Sequence, residues 1–88
     1  MKKVGVIGGS GFIDDEMISI LLKNHFYIKV GTDDISEKKN FEHLMDLKYN
    51  ENLHVCELDS MSKIEIDNFS KDCDYLIMMN SIQRTDLN

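Results

Sequence analysis

Residues Gly8-Gly9-Ser10-Gly11 are the part of this chain best suited to chemistry. They lie between a short apolar run, Lys3 to Ile7, and a stretch with helical periodicity. Glycines between a strand and a helix let the backbone approach a pyrophosphate closely, and the free N–H groups of the helix start favour an anion. Asp33 follows the next apolar run at a spacing typical of an acid that accepts hydrogen bonds from a ribose. Together these residues predict a dinucleotide site; the alternative is that the glycines only form a sharp turn.

The hydrophobic pattern alternates between strand and helix periods along the chain. It predicts strands at Lys3 to Ile7, Phe26 to Thr32, Leu53 to Leu58 and Tyr75 to Met79. It predicts helices from the glycines to Asn24, from Ser36 to about Lys48, and after the capping-box sequence Ser62-Lys63-Ile64-Glu65. Strands that alternate with helices favour a parallel sheet with right-handed crossovers. We therefore expect an α/β fold with a parallel sheet of four strands; in the doubly wound arrangement these strands lie in the order 3-2-1-4, with helices on both faces.

Composition excludes several classes of function. The chain has 88 residues, of which 42% are apolar and 30% charged, as in one small globular domain. A net charge of −6 and a single arginine, Arg84, argue against nucleic-acid binding. The first apolar run ends at the glycines, too early for a signal peptide, so we expect a cytoplasmic protein without a membrane segment. Cys56 and Cys73 form no Cys-x-x-Cys motif, and we expect no metal site.

The segment Val6 to Ile13 resembles the opening of the extended short-chain dehydrogenase/reductases, the NAD-dependent epimerase/dehydratase group. Within that family the chain is most similar to dihydroflavonol reductases and cinnamoyl-CoA reductases. The resemblance runs from about residue 3 to residue 81 and includes Val30-Gly31-Thr32-Asp33-Asp34, Ser36-Glu37-Lys38-Lys39, His43-Leu44, Leu53-His54-Val55 with Asp59, and Lys71-Asp72-Cys73-Asp74. It implies the NAD(P)-binding amino-terminal half of a Rossmann domain over residues 1–81, followed by a polar tail at 82–88.

The resemblance also implies where a cofactor would lie. The pyrophosphate turn would consist of Gly8, Gly11, Phe12 and Ile13. Asp59 and Ser60 would lie by the adenine, and the loop after the fourth strand would be lined by Met79, Asn80 and Ser81.

Asp33 stands where these reductases usually have an arginine that pairs with the 2′-phosphate of NADP. An aspartate accepts hydrogen bonds from both ribose hydroxyls and repels a phosphate. The expected cofactor is therefore NAD(H), with NADP disfavoured unless Lys38 or Lys39 compensates.

Three carboxylates, Asp14-Asp15-Glu16, follow the glycine turn, and Asp14 replaces the third glycine of the family. Two unit charges ~4 Å apart repel by about 4 kcal/mol at an effective dielectric constant of 20, against the roughly 8 kcal/mol of a micromolar ligand. The same acids stabilise a helix start that has no phosphate, by ~0.3–1 kcal/mol each. The sequence leaves both interpretations open.

Hydride transfer in this family needs a Tyr-x-x-x-Lys pair, in which the lysine lowers the pKa of the tyrosine. The three tyrosines are followed four places later by Gly31, Leu53 and Met79. We therefore expect no catalytic residue and no hydride transfer by this chain alone. Two functions remain: an NAD(H)-preferring binding unit, or a remnant Rossmann-like protein that binds no cofactor and acts through protein–protein contacts.

The predicted fourth strand, Tyr75 to Met79, contains no charge, proline or glycine. In the order 3-2-1-4 it lies at an edge of the sheet, where such residues normally prevent pairing with another chain. We expect a homodimer or a partner chain at this strand, with additional contacts from the helix that carries Ile64, Ile66 and Phe69.

Overall fold

Four parallel strands form the centre of the structure, a computed structural model that describes residues 1–79. In chain order they are β1 (Lys3–Gly9), β2 (Tyr27–Thr32), β3 (Leu53–Glu57) and β4 (Tyr75–Met78). Their order in the sheet is β3-β2-β1-β4, which confirms the predicted α/β fold and strand order. Because every pair is parallel, the four carboxyl ends lie at the same edge of the sheet.

Different segments cover the two faces of the sheet. One face carries helix α1 (Asp15–Lys23) and three 3-10 helices, at Lys38–Asn40, Glu42–Asp46 and Asn50–Asn52. The main core lies under these segments and contains Val4, Val6, Ile13, Ile18, Leu22, Ile28, Val30, Phe41, Leu44 and Leu53. The other face carries helix α2 (Lys63–Ser70), whose Phe69 packs with Ile7 and Leu58. The connections therefore change faces between β1 and β4, which is where open α/β sheets bind ligands, outside the carboxyl ends of the strands.

Helix α1 begins later than the glycines. Asp14 is its N-cap, and the carboxylate of Asp14 accepts a hydrogen bond from the Glu16 N–H at 3.2 Å. Ile18 and Leu22, four residues apart, are fully buried against the sheet. The acids at the start of α1 are thus its cap and its first turn, which they stabilise through the helix dipole.

The prediction of one helix from Ser36 to about Lys48 is wrong. Separate 3-10 helices take its place, and Ser36 caps none of them. Instead, Ser36 donates to the Asp34 carboxylate through its N–H at 3.0 Å and its hydroxyl at 2.6 Å.

The reason for this difference is a tertiary hydrogen bond. The Asn40 carbonyl accepts from the Ile13 N–H at 2.9 Å. In an α-helix that carbonyl would accept from Leu44, but the Leu44 N–H donates to Phe41 instead, at 2.9 Å. The apolar periodicity remains meaningful because Phe41 and Leu44 are both buried. The contact to the glycine turn therefore overrides the local helix preference.

Helix length bears on the predicted absence of a membrane segment. Helix α1 has 9 residues and α2 has 8, and across residues 1–79 no helix is long and apolar enough to span a bilayer.

Candidate functional site

The glycine turn lies at the carboxyl end of β1. Gly9 has a φ of 69°, in the left-handed region that glycine adopts without steric cost. A methyl group at Gly8 would lie 2.8 Å from the Ile13 side chain, whereas one at Gly11 would meet no atom of the described chain within 4 Å. Gly8 is therefore required by packing inside the turn, and Gly11 leaves open space beside it.

Asn40 and His43 hold the turn from one side, and we call this pair the clasp. The Asn40 carbonyl accepts from the Ile13 N–H at 2.9 Å, and the Asn40 side-chain amide donates to the Ser10 carbonyl at 3.4 Å. The ring Nε2 of His43 contacts the Ile13 carbonyl and acts as the donor, because a carbonyl oxygen only accepts. The Ile13 N–H, a group that a phosphate on this turn would use, thus already has an acceptor.

Phe12 lies outside the core, with 67% of its surface exposed. Its ring is stacked on the His43 ring, with 4.3 Å between centroids and 8° between planes. Phe12 and Ile13 therefore have different surroundings although they are adjacent, since Ile13 is fully buried.

Carboxylates border the same turn. Asp14, Asp15 and Glu16 line one end of an open groove along α1, whose other lining residues are Ser19, Ile20, Lys23 and Leu47. The Glu16 N–H is capped by Asp14 at 3.2 Å. Of these lining residues only Lys23 is cationic, and it lies in the last turn of the helix. The electrostatics of this end of α1 thus oppose an anion.

Asp33 lies directly beside the glycine turn, because its N–H donates to the Gly9 carbonyl at 2.9 Å. Its half-buried carboxylate accepts two hydrogen bonds from Ser60, one on Oδ1 from the N–H at 3.0 Å and one on Oδ2 from the hydroxyl at 3.2 Å. An ionised carboxylate has about four lone-pair positions, so acceptor capacity remains for a ribose diol.

Asp59 shapes the loop that follows β3. Its carboxylate accepts from the Met61 N–H at 2.9 Å, and its own N–H donates to the Glu65 carboxylate at 2.9 Å. Ser62 caps α2 as predicted, by accepting from the Glu65 N–H at 3.3 Å. The reciprocal bond of the capping box goes to Asp59 instead of Ser62, which ties the loop beside Ser60 to the helix.

Met79 is half-buried against the main core, and its N–H donates to the Ile7 carbonyl at 3.0 Å. It therefore lies at the carboxyl end of β1, near the turn. Asn80 and Ser81 were predicted beside it and lie outside the described residues.

A second charged cluster lies at the surface around the segment between α2 and β4. The Asp72 carboxylate binds the Lys3 amine at 2.8 Å and the Lys29 amine at 2.9 Å. The hydrogen bonds from Lys3 and then Lys29 hold the pKa of Asp72 far below its usual range. Burial raises the pKa of the Cys56 and Cys73 thiols, which keeps both protonated and weakly nucleophilic. In the described part of the chain, no three acidic, histidine or cysteine side chains are arranged to hold a metal ion.

Sequence reasoning missed the clasp and the bonds between Asp33 and Ser60. Asn40 and His43 lie in a segment with a helical pattern, and no sequence signal indicates that they turn back to residues 10–13. Thr32 was also missed; within residues 1–79 its buried hydroxyl has no hydrogen-bond partner.

These contacts decide how well NAD fits. Beside the open turn, Asp33 keeps acceptor capacity of the kind that a ribose diol would use. The pyrophosphate part does not fit, since the N–H groups of Ile13 and Glu16 are occupied and three carboxylates stand nearby.

No protein-family model matches this chain, and no curated protein matches its sequence.

Proposed function

We propose that this protein is an NAD(H)-preferring nucleotide-binding unit that corresponds to the cofactor half of a reductase. One observation carries the proposal: the Asp33 N–H donates to the Gly9 carbonyl at 2.9 Å, so that a carboxylate stands beside a glycine turn. Both residues lie at the carboxyl ends of neighbouring parallel strands, next to the place where the connections change faces. Open α/β sheets bind nucleotides in this position.

The charge at Asp33 supports NAD(H) over NADP(H). A carboxylate accepts hydrogen bonds from the 2′ and 3′ hydroxyls and repels a 2′-phosphate. Lys39, which could offset this repulsion, has its amine 3.7 Å from Glu37 and is 80% exposed. The 88 residues contain no Tyr-x-x-x-Lys sequence, so the proposed function is binding without hydride transfer.

Isothermal titration of the full chain with NADH tests this proposal. We expect a saturable signal for the wild type and affinity about tenfold weaker for Asp33→Asn, which loses the charge but keeps the size of the side chain. Asp34→Asn is the matched control, because Asp34 is the exposed neighbour and its carboxylate binds Ser36. A wild type without saturable binding at millimolar NADH would contradict the proposal.

The second candidate function is a remnant Rossmann-like protein that acts through protein–protein contacts. The acids at the start of α1 and the acceptor on the Ile13 N–H favour it. So does β4, an edge strand on which Tyr75 is 54% and Leu76 40% exposed. This candidate predicts that neither the wild type nor Asp33→Asn binds NADH.

A further inference from the structure

We infer that this site recognises an unphosphorylated nucleoside, and that NAD(H) is held by its adenosine end while its pyrophosphate stays in solvent. This inference rests on the proposed function and specifies which part of the dinucleotide the chain recognises. It follows from three features of the site: the hydrogen-bond donors of the turn, the charge around it, and the acceptors that remain.

Two backbone donors at the glycine turn and the start of α1 already have acceptors within the chain. A pyrophosphate at a strand-to-helix turn is bound mainly by backbone N–H groups. Here the Ile13 N–H donates to the Asn40 carbonyl at 2.9 Å, and the Glu16 N–H donates to the Asp14 carboxylate at 3.2 Å. The Asn40 side-chain amide also donates to the Ser10 carbonyl, so Asn40 is joined to the turn by two hydrogen bonds. At these two donors, a phosphate would have to displace acceptors that belong to the chain itself.

The negative charge at the start of α1 also disfavours a phosphate at the turn. The carboxylate of Asp14 already occupies the helix start at which a phosphate would gain from the dipole. Asp15 and Glu16 add two more negative charges within the first turn. A neutral nucleoside escapes this repulsion, and a diphosphate experiences all of it.

The remaining acceptors suit a ribose. Ser60 uses one position on each carboxylate oxygen of Asp33, which leaves acceptor capacity for two neutral hydroxyls. Two exposed apolar side chains follow the same strand ends: Ile35, 37% exposed, and Met61, 89% exposed. The Ile35 N–H donates to Glu57 at 3.2 Å, which holds Ile35 near the end of β3. A planar base has apolar surface to contact there without any phosphate contact.

The test is a titration of the full chain with adenosine, AMP, ADP and NAD⁺, followed by amide chemical shifts in NMR spectra. We expect adenosine to bind at least as tightly as NAD⁺, and each added phosphate of AMP and ADP to weaken binding by about threefold or more. Because the phosphates are repelled, added salt should strengthen NAD⁺ binding. A pyrophosphate bound at the turn would give the opposite salt dependence.

Asp14→Asn refines the test, since asparagine is as good an N-cap as aspartate but carries no charge. We expect this variant to bind NAD⁺ more tightly and adenosine with unchanged affinity, so that the difference between the two affinities becomes smaller. Glu51→Gln is the control for net charge, because Glu51 is exposed in the 3-10 helix before β3.

The outcomes separate this inference from the proposed function. Binding of NAD⁺ about tenfold tighter than adenosine, weakened by salt, would overturn the inference and leave the proposed function standing. Binding of adenosine with undetectable binding of NAD⁺ would contradict both the proposed function and the inference that NAD(H) is held by its adenosine end. No binding of either ligand would overturn both.

Discussion

Ser60 holds both carboxylate oxygens of Asp33, with its N–H 3.0 Å from Oδ1 and its hydroxyl 3.2 Å from Oδ2. The residues are 27 positions apart and lie beyond the ends of the neighbouring strands β2 and β3. Hydrogen bonds to an ionised group are stronger than neutral ones, so the carboxylate has a fixed direction. In the proposed site, selectivity at the ribose would depend on this orientation, which the loop after β3 maintains.

The first prediction concerns nucleotide preference. NAD(H) should bind at least about tenfold tighter than NADP(H), because the fixed charge of Asp33 repels a 2′-phosphate. Competition between the two dinucleotides in a calorimetric titration measures the ratio. Equal affinities, or a preference for NADP(H), would show that Asp33 does not contact the ribose.

The second prediction concerns the acidic start of α1. The double variant Asp14→Gly, Asp15→Ser should bind NAD(H) more tightly, by about 1–3 kcal/mol, because it removes two carboxylates from the turn. Glycine is also an acceptable N-cap, so the free energy of unfolding should fall by only a few tenths of a kcal/mol. Titration and urea unfolding measure the two effects. If affinity stays unchanged, charge at this helix start does not limit binding.

The third prediction compares two glycines of the turn. Gly8→Ala should lower the free energy of unfolding by about 1–3 kcal/mol, because its methyl group would lie 2.8 Å from the buried Ile13 side chain. Gly11→Ala places the same group in open space and should change stability by no more than about 0.5 kcal/mol. Urea midpoints of both variants provide the measurement, and equal losses would refute the packing role of Gly8.

The fourth prediction is a pH dependence that arises from Asp72. Its pKa in the folded state is lowered by the hydrogen bonds from Lys3 and Lys29. The ionised Asp72 therefore stabilises the folded state in full at any pH above the usual aspartate pKa. This stabilisation is lost as the pH falls below that value through the folded pKa. Asp72→Asn should therefore be less stable than the wild type near neutral pH, and the difference should shrink below about pH 4.

Urea unfolding at several pH values measures this difference. Asp67→Asn is the control, since the Asp67 carboxylate forms an exposed pair with Lys63 at 3.4 Å. A difference between Asp72→Asn and the wild type that persists unchanged in acid would exclude the ion pairs as its cause.

The fifth prediction concerns assembly through β4. Tyr75 and Leu76 are exposed on this edge strand, and Ile77 packs against the main core. We propose that two copies, or a partner chain, pair along this strand, and we expect sedimentation velocity to show a dimer at high micromolar concentration. Leu76→Lys should yield a monomer. The control is Ile20→Lys, which places the same charge on the exposed face of α1 and should leave the dimer intact. A monomeric wild type would refute the edge argument.

Much of the fold follows from the sequence alone. The strands begin and end within about two residues of the predicted positions, since short apolar runs report burial in a sheet directly. Their order is that of the doubly wound arrangement, in which right-handed crossovers cover both faces of the sheet. The predicted start of α2 is confirmed, because Ser62 caps the helix through a local hydrogen bond that the sequence motif indicates.

Tertiary structure alone decided the conformation of residues 36–48 and which backbone N–H groups of the glycine turn already have an acceptor. A helical pattern there shows which residues are buried, such as Phe41 and Leu44, but it does not show where the Asn40 carbonyl finds its donor. That donor is the Ile13 N–H, 27 residues earlier. This one hydrogen bond takes the Asn40 carbonyl away from helical pairing and gives the Ile13 N–H of the turn an acceptor. The sequence determined the sheet and the position of Asp33 at the end of β2 because these depend on local periodicity. Contacts between distant residues determined which of the chemical groups at that edge remain available to a ligand.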